Sequence, residues 1–530
     1  MTEVLVVGGG PVGLALAVEL GLRGIEVVVL ERDARHSPQP RAKTTNVRSM
    51  EHMRRWGIAD RLRAAAPLPA DYPTDVVFRT RLFGHDLALF ENAFFGARGV
   101  RDDRFAEGAQ WVPQYKVEAA LRARAAELPT VTLRLGTRLE SLAQDADGVT
   151  AEAIGPEGAL EFRAAYAIGA DGARSTVRTT IGARMEGQHA YAQHLNMVFR
   201  APALREVMRD RPAIMYWLVN PDCPAVVGPM DDGDVWFFMS ALPAGAAVPD
   251  EAGLRARLRH AIGRDVAPEI LVTDPWSAHS LIADRYREGR ILLAGDACHL
   301  HPPFGGYGMN LGLGDAVDLG WKLAAVLRGW GGAALLDSYE AERRPVHRRV
   351  VEEAVANHAL LPRDLARPAL EDAGPAGDAV RAEVGALITA GKEREFRTLG
   401  VVLGSNYAGS PIVVPDGTAP PEEHPTRFEP SGHPGWRAPH LWLADGASLF
   451  DHFGAGFCLL ATAPGAETSP MEQAARAAGV PLRVLAPEDA RLPALYGARM
   501  ALIRPDQHVA WRGDGFMGDA AAIMDRARGA

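Results

Sequence analysis

Residues 290–327, RILLAGDACHLHPPFGGYGMNLGLGDAVDLGWKLAAVL, decide the architecture. The apolar run 291–294 suits a buried strand, and Gly295-Asp296 ends it with one carboxylate at the strand's carboxyl edge. Pro302, Pro303, Gly305, Gly306 and Gly308 punctuate a loop whose paired glycines let a ligand lie close to the backbone. From near Asn310, Leu311, Leu313, Ala316, Val317, Leu319, Leu323, Ala324 and Leu327 recur at helical spacing. The first turn of that helix aims unpaired N–H groups and the positive end of its dipole at the loop, a setting for an electron-rich group.

The amino terminus supplies the second half of the argument. A strand at 4–7, a turn at Gly8-Gly9-Gly10-Pro11-Val12-Gly13 and a helix at 14–22 lead to a strand at 26–30 that ends at Glu31, with Arg32 beside it. This is G-x-G-x-x-G between strand and helix, followed about 20 residues on by an acid able to hold a ribose hydroxyl, and it predicts dinucleotide binding. Arg41 and Arg48 flank the entry to another helix, where they can neutralise a diphosphate or form part of a solvated face. Gln114 opens a helix at 116–128 and either caps it or reaches a cofactor. Residues 166–178, YAIGADGARSTVR, repeat the strand-end acid at Asp171, so two carboxylates, Asp171 and Asp296, can reach one cofactor edge.

Residues 67–108 lack a clear period and look like an insertion over a site. Strands at 196–199, 214–219, 225–228 and 235–240 predict an antiparallel sheet whose aromatics, among them Tyr216 and Trp217, can roof a flat substrate. The helix from 335 to about 358 carries charges that read as a solvated face with a few interdomain pairs. Polar residues 361–377 and Pro-rich residues 411–439 bracket a short helical connector. Strands at 457–461, 482–485, 501–503 and 508–511 then predict a separate small domain.

A net charge of −9 argues against nucleic acid or an anionic membrane as the main partner, leaving a small molecule. The three cysteines are far apart in sequence, so neither a disulfide framework nor a metal site is expected. With no basic n-region and no long apolar run, a cytoplasmic protein without a membrane span is expected.

Three motifs in this order, Gly8 to Gly13 with Glu31, Gly-Ala-Asp171-Gly to Arg178, and Gly295-Asp296 to Asp315, resemble the single-component FAD-dependent aromatic hydroxylases, the phenol hydroxylase and aromatic polyketide hydroxylase branch of the para-hydroxybenzoate hydroxylase fold. The resemblance covers nearly the whole chain. It implies an α/β fold with a Rossmann-like FAD-binding domain (residues 1–70, 109–184 and 274–360), an inserted β-sheet substrate domain (71–108 and 185–273), a helical connector (361–410) and a thioredoxin-like carboxyl-terminal domain (411–530).

The resemblance further implies tightly bound, non-covalent FAD, with NAD(P)H as a transient co-substrate and O2 as oxidant. No second G-x-G-x-x-G is evident, which fits a nicotinamide without its own Rossmann domain. Glu31 is expected at the adenosine ribose, Arg41, Arg48 and Gln114 on FAD, and Asp296 at the ribityl or diphosphate region. Gly308, Met309 and Asn310 are expected beside the flavin ring, and Asp171 is expected to hold the fold around it. Trp217, Tyr216, Pro303, Phe304 and Gly305 are expected on substrate. Hydroxylation of a phenolic or polyketide-like ring through a flavin C4a-hydroperoxide is the implied reaction. Baeyer–Villiger insertion or epoxidation, and a flavin- or ligand-binding protein without turnover, are the alternatives. His194, Tyr216 and His279 are candidates for a base that deprotonates a phenol. A homodimer is compatible with the sequence, which leaves oligomeric state open. Tyr307 stands where many relatives have glutamine, and Cys298 where alanine is common.

Overall fold

The computed structural model describes residues 2–34, 42–96, 101–243, 245–358, 362–516 and 519–530. The strand Thr2–Val7 is the middle of the first sheet, paired in parallel with Val27–Glu31 on one side and Gly158–Gly169 on the other. Gly158–Gly169 pairs in parallel with Ile291–Leu293. Strands buried on both faces carry continuous apolar runs, and Val4, Leu5, Val6, Ile168, Leu292 and Leu293 all lie in the same core. Because Val7 is level with Gly169 and Gly169 with Leu293, the turns that follow these three strands emerge side by side. Adjacent parallel strands thus bring together three motifs far apart in sequence, at the carboxyl edge where open α/β sheets bind ligands.

The helices Pro11–Gly21 and Gly308–Leu327 pack against each other across the strand tips. Small residues allow it: a Cβ on Gly312 would sit 2.5 Å from a Val12 methyl and 3.3 Å from Gly295 Cα. The second helix starts two residues before the expected Asn310, because the glycine at 308 continues directly from Tyr307 in helical conformation.

The second sheet has the order His299–Leu300, Glu269–Ala283, Met185–Arg200, Val235–Leu242, Ala225–Pro229, Met215–Leu218, Val76–Arg79 and Asp86–Phe90. Residues from the expected insertion therefore complete its far edge. The strand Glu269–Ala283 runs unbroken through residue 273, where the sequence suggested a domain boundary. A third sheet, Leu482–Leu485, Phe457–Ala461, Met500–Ile503 and Val509–Gly513, forms the carboxyl-terminal unit at the expected positions.

Two expectations change. The connector contains a 22-residue helix, Pro375–Phe396, whose Val384, Ile388 and Phe396 join the aromatic core that holds Phe78, Trp217 and Phe304. It packs against one face of the second sheet. The helix Asp337–His358 keeps most of its charges at the surface but buries Glu342, Arg343 and His347, three polar groups the sequence did not mark as internal. Among the described residues no helix is long and apolar enough to cross a membrane.

Candidate active site

The glycine turn has the strain and the openness of a phosphate cradle. Gly8 has φ +108°, and a Cβ there would meet Ala170 O at 2.3 Å. A Cβ on Gly13 would lie 1.9 Å from Gly8 O, whereas Gly10 faces open space. The helix that follows has Pro11 in its first turn and no side-chain cap, so its amide groups stay available to an anion. Glu31 closes the turn, its Oε2 accepting the Gly9 N–H at 2.6 Å and its Oε1 the Asp33 N–H at 2.8 Å. Arg32 is largely exposed beside Asp33. These residues fit an adenine dinucleotide.

The strand-end acids divide the work. Asp171 accepts Ser175 Oγ–H and the N–H groups of Thr176 (2.7 Å) and Val177 (3.2 Å). With Ser175, the N-cap residue, it satisfies the first amides of the short helix Thr176–Thr180, a structural role that holds this strand-end turn in shape. Arg178 from that helix donates to Ala297 O at 3.0 Å, tying the second motif to the third. Asp296, by contrast, is exposed at the tip after Ile291–Leu293.

Beneath Asp296 lies a hub that sequence reasoning passed over. Asp315 is fully buried and accepts four hydrogen bonds. Its Oδ2 takes Gly295 N–H (3.0 Å) and His299 Nε2–H (3.1 Å), and its Oδ1 takes Arg343 Nε–H (2.7 Å) and His347 Nε2–H (2.7 Å). Against its burial, the His347 and Arg343 contacts hold the carboxyl well below the usual carboxylate range. Burial brings His347 down to about 3, so its ring is neutral; with Nε2–H donating, Nδ1 accepts the Tyr286 hydroxyl at 2.7 Å. Cys298, His299, Asp315 and His347 have ligand atoms within 4.8 Å of one another. With both carboxylate oxygens doubly occupied and a guanidinium in contact, the group works as a hydrogen-bonded anchor for the Gly295 turn. The signal was the i, i+4 pair Arg343 and His347, two polar residues on one helix face.

Asn310 and Gln114 are positioning groups. Asn310 accepts Asn46 N–H at 2.9 Å and donates to Thr44 O at 2.9 Å and Gly306 O at 2.7 Å, which fixes the loop against the strand Thr44–Thr45. Gln114 does not cap its helix; its amide donates to Glu118 at 2.8 Å. Arg48 turns to the carboxyl-terminal unit, donating to Glu51 (3.0 Å), Gln507 (2.6 Å) and Asp506 O (2.7 Å). Arg41 lies outside the described residues. Gly308 and Met309 form the uncapped first turn of the long helix. Tyr307 is buried, its ring under Gly305 and packed with Leu311, Val346 and Val350. Cys298 is buried, and burial pushes its thiol well up, which makes it inert.

Register separates the two faces of the second sheet. Residues directly opposite in antiparallel strands share a face, so His194, Trp276, Asn196, Val198 and Phe237 look one way. Trp217 and Phe237 fall in the same core as Phe304, and Phe304 lies 5.9 Å from Trp217 and 6.3 Å from His194 between ring centroids. Pro303 is exposed and Gly305 buried on either side of it. Tyr216 belongs to the opposite face, in the core with Trp236 and Phe238, its hydroxyl donating to Arg211 O at 2.5 Å. Alternation thus removes it both as a substrate contact and as a base. His279 accepts Ala190 N–H at 3.2 Å at the strand bulge and packs edge-on to His189. His194 is the one candidate of the three placed beside Phe304. Burial, with His358 and Arg363, brings it down to about 4.

Two amines reach this face without having been foreseen. Lys43 Nζ lies 4.1 Å over the Phe237 ring, and burial brings it down to about 8. Lys392, fully buried on the connector helix, donates to Asn357 O (2.8 Å) and Glu395 (2.7 Å) and lies 4.4 Å over Trp217. Neither has a sequence signal beyond being a lysine on an otherwise ordinary stretch.

Comparison with known proteins joins these features. Residues 1–354 match the FAD binding domain family, and residues 431–530 match the aromatic-ring hydroxylase carboxyl-terminal family. The chain is 36% identical to tetracenomycin B2 monooxygenase-dioxygenase of Streptomyces olivaceus, over 98% of this chain and 97% of that protein. The rebeccamycin biosynthetic enzyme RebC with reduced flavin superposes with a TM-score of 0.91 at 34% identity, covering 100% of this chain and 99% of that one. A ternary complex of aklavinone-11 hydroxylase with FAD and aklavinone superposes at 0.85 with 31% identity, covering 100% and 99%. The glycine cradle, the anchored strand tips and the aromatic roof are thus the parts of a flavoenzyme, and the chain belongs to the FAD-dependent aromatic-ring hydroxylases.

Proposed function

We propose that this enzyme hydroxylates a flat, polycyclic phenol, consuming NAD(P)H and dioxygen. The observation that carries this is the single aromatic face on which Trp217, Phe237, His194 and Trp276 look toward the Phe304 loop. Relatives named for tetracenomycin B2 and aklavinone support a fused-ring substrate. Bound FAD supplies reduction by the nicotinamide and transfer of one oxygen atom from dioxygen to a ring carbon.

The chain's own residues do the rest. Gly8 to Gly13 and Glu31 hold the adenosine diphosphate half, and Asp296 with the uncapped turn at Gly308 and Met309 takes the flavin half. That helical end favours negative charge on the reduced ring. Trp217, Phe237 and Phe304 keep water from the reacting carbon, which suppresses unproductive peroxide release.

The test is oxidation of NADPH or NADH by the FAD-loaded protein with and without hydroxyanthraquinones. Stimulated oxidation with a product gaining one oxygen on a ring carbon is expected. A ring-expanded lactone would move the reaction to Baeyer–Villiger insertion, and hydrogen peroxide alone with every aromatic tried would overturn the proposal.

A further inference from the structure

Four buried polar atoms beside Phe304 have no hydrogen-bond partner among the described residues: His194 Nε2, Trp276 Nε1, Tyr191 Oη and His358 Nε2. They come from three elements yet form one cluster. His194 stacks on Trp276 at 4.5 Å and 12°, and the His358 ring lies 5.8 Å from His194, 5.3 Å from Tyr191 and 5.0 Å from Phe304. His194 is only 3% exposed. Leaving one such atom unmatched costs about 1–3 kcal/mol, and native structures rarely leave several together. Among the described residues nothing completes the cluster, which leaves it open to a ligand.

Its chemistry restricts what completes it. The indole N–H only donates, so it requires an acceptor oxygen; an imidazole nitrogen and a phenol oxygen also accept. The facing charges are already engaged or distant. Lys392 is bonded to Glu395 and Asn357 O. Lys43 lies over Phe237, opposite Val198, about 13 Å along the strand from His194. Arg363 and Asp364 are exposed at the rim. The charges of Lys392 and Arg363 reach His358 and His194, but no cation hydrogen-bonds the four atoms among the described residues, so a carboxylate here would be desolvated without a direct partner.

We propose that Tyr191, His194, Trp276 and His358 recognise an uncharged oxygen edge of the aromatic substrate, a hydroxyl adjacent to a carbonyl as in a peri-hydroxyquinone. The carbonyl accepts from the indole N–H, and the hydroxyl, internally bonded to that carbonyl, shares its proton with an imidazole nitrogen in a bifurcated hydrogen bond. This deepens the proposed function and rests on it. It also reassigns His194: with its ring held near 4, it accepts a hydrogen bond in recognition and is too weak a base to remove a phenolic proton.

The experiment measures equilibrium binding of 1,8-dihydroxyanthraquinone and of anthraquinone-2-carboxylate to the FAD-loaded protein, read from each probe's own absorption. His194→Phe keeps the stack on Trp276, and Trp276→Phe removes one donor. Each is expected to weaken the dihydroxy probe about tenfold and to leave the carboxylate within about twofold. Equal weakening of both probes, or of neither, overturns the assignment, as does preferential loss of the carboxylate. FAD content confirms that each variant is folded, and Trp276→Phe decides should His194→Phe lose it. Retained probe selectivity without hydroxylation would sink the reaction and leave the recognition site, whereas lost selectivity with hydroxylation intact would do the reverse.

Discussion

Two buried polar clusters flank the same strand-end loop and are opposites. Around Asp315 every lone pair of the carboxylate is matched, by one backbone amide, two imidazoles and a guanidinium. Around His194 four polar atoms lack a partner among the described residues, against one, His299 Nδ1, in the Asp315 hub. A closed cluster fixes geometry, because any displacement breaks several strong bonds in a low-dielectric interior. An open cluster stores an unmet demand that a ligand satisfies. Closure thus distinguishes the part of the site that holds shape from the part that selects.

A third cluster extends the closed type and sets the upper end of the expected effects. Arg504, from the carboxyl-terminal unit, donates to Glu342 (2.5 and 2.8 Å), Asp506 (2.5 Å) and Asp318 (3.3 Å), while Lys322 reaches Asp318 (2.7 Å) and Glu342 (2.5 Å). Burial first, then the charges of Glu342 and Asp506, push Asp318 well above the usual range, while Lys322 and Arg504 oppose that push. Arg504→Met leaves the three acids with Lys322 as their one close cation among the described residues of this cluster. A loss of about 4 kcal/mol or more is expected in urea unfolding, and a shift below 1 kcal/mol would show that the cluster relaxes.

Asp315→Asn asks the same of the flavin-side hub. It leaves Arg343 buried without its anion and turns an amide N–H toward other donors. About 3 kcal/mol of destabilisation, with loss of flavin absorbance, is expected in thermal melts. Full flavin occupancy at unchanged melting temperature would contradict the anchoring role.

Acid should strike open and closed clusters alike. His194 and His347 are neutral in the fold, held near 4 and 3 by burial, while an unfolded histidine protonates near 6.5. Their contribution is fully present above pH 6.5 and is lost as pH falls toward 4, at about 1.4 kcal/mol per pH unit for each ring. His347→Gln should shallow the decline of melting temperature between pH 6.5 and 5; an unchanged slope would mean that its ring is protonated in the fold. At the small end, Arg61→Ala removes an exposed pair with Glu127 (2.6 Å, side chains 42% and 43% exposed). Its effect should stay within about 0.5 kcal/mol, and a larger one would remove the contrast between buried and surface charge.

Legibility in the sequence followed locality. The glycine turn, Glu31 and the Gly295-Asp296 loop could be read because strand, turn and helix are encoded within about thirty residues. The carboxyl-terminal strands were likewise placed by their short apolar runs. Tyr216 and Trp217 were not separable, since alternation says that neighbours face opposite ways without saying which face meets the loop. The connector helix was read as a boundary because its flanks are polar, although its Lys392 and Phe396 pack into the aromatic core around Trp217, far away in sequence.

The sequence by itself determined a dinucleotide fold, the order of its three strand-end motifs and the family those motifs resemble. Each depends on backbone conformations that glycine, proline and apolar period impose locally. Only the tertiary structure decided that Asp171 holds a strand-end turn in shape, that Asp315 is an anchor, and that Tyr191, His194, Trp276 and His358 share one unsatisfied cluster. Whether a buried polar atom is matched depends on neighbours brought from far along the chain, and no local pattern records them.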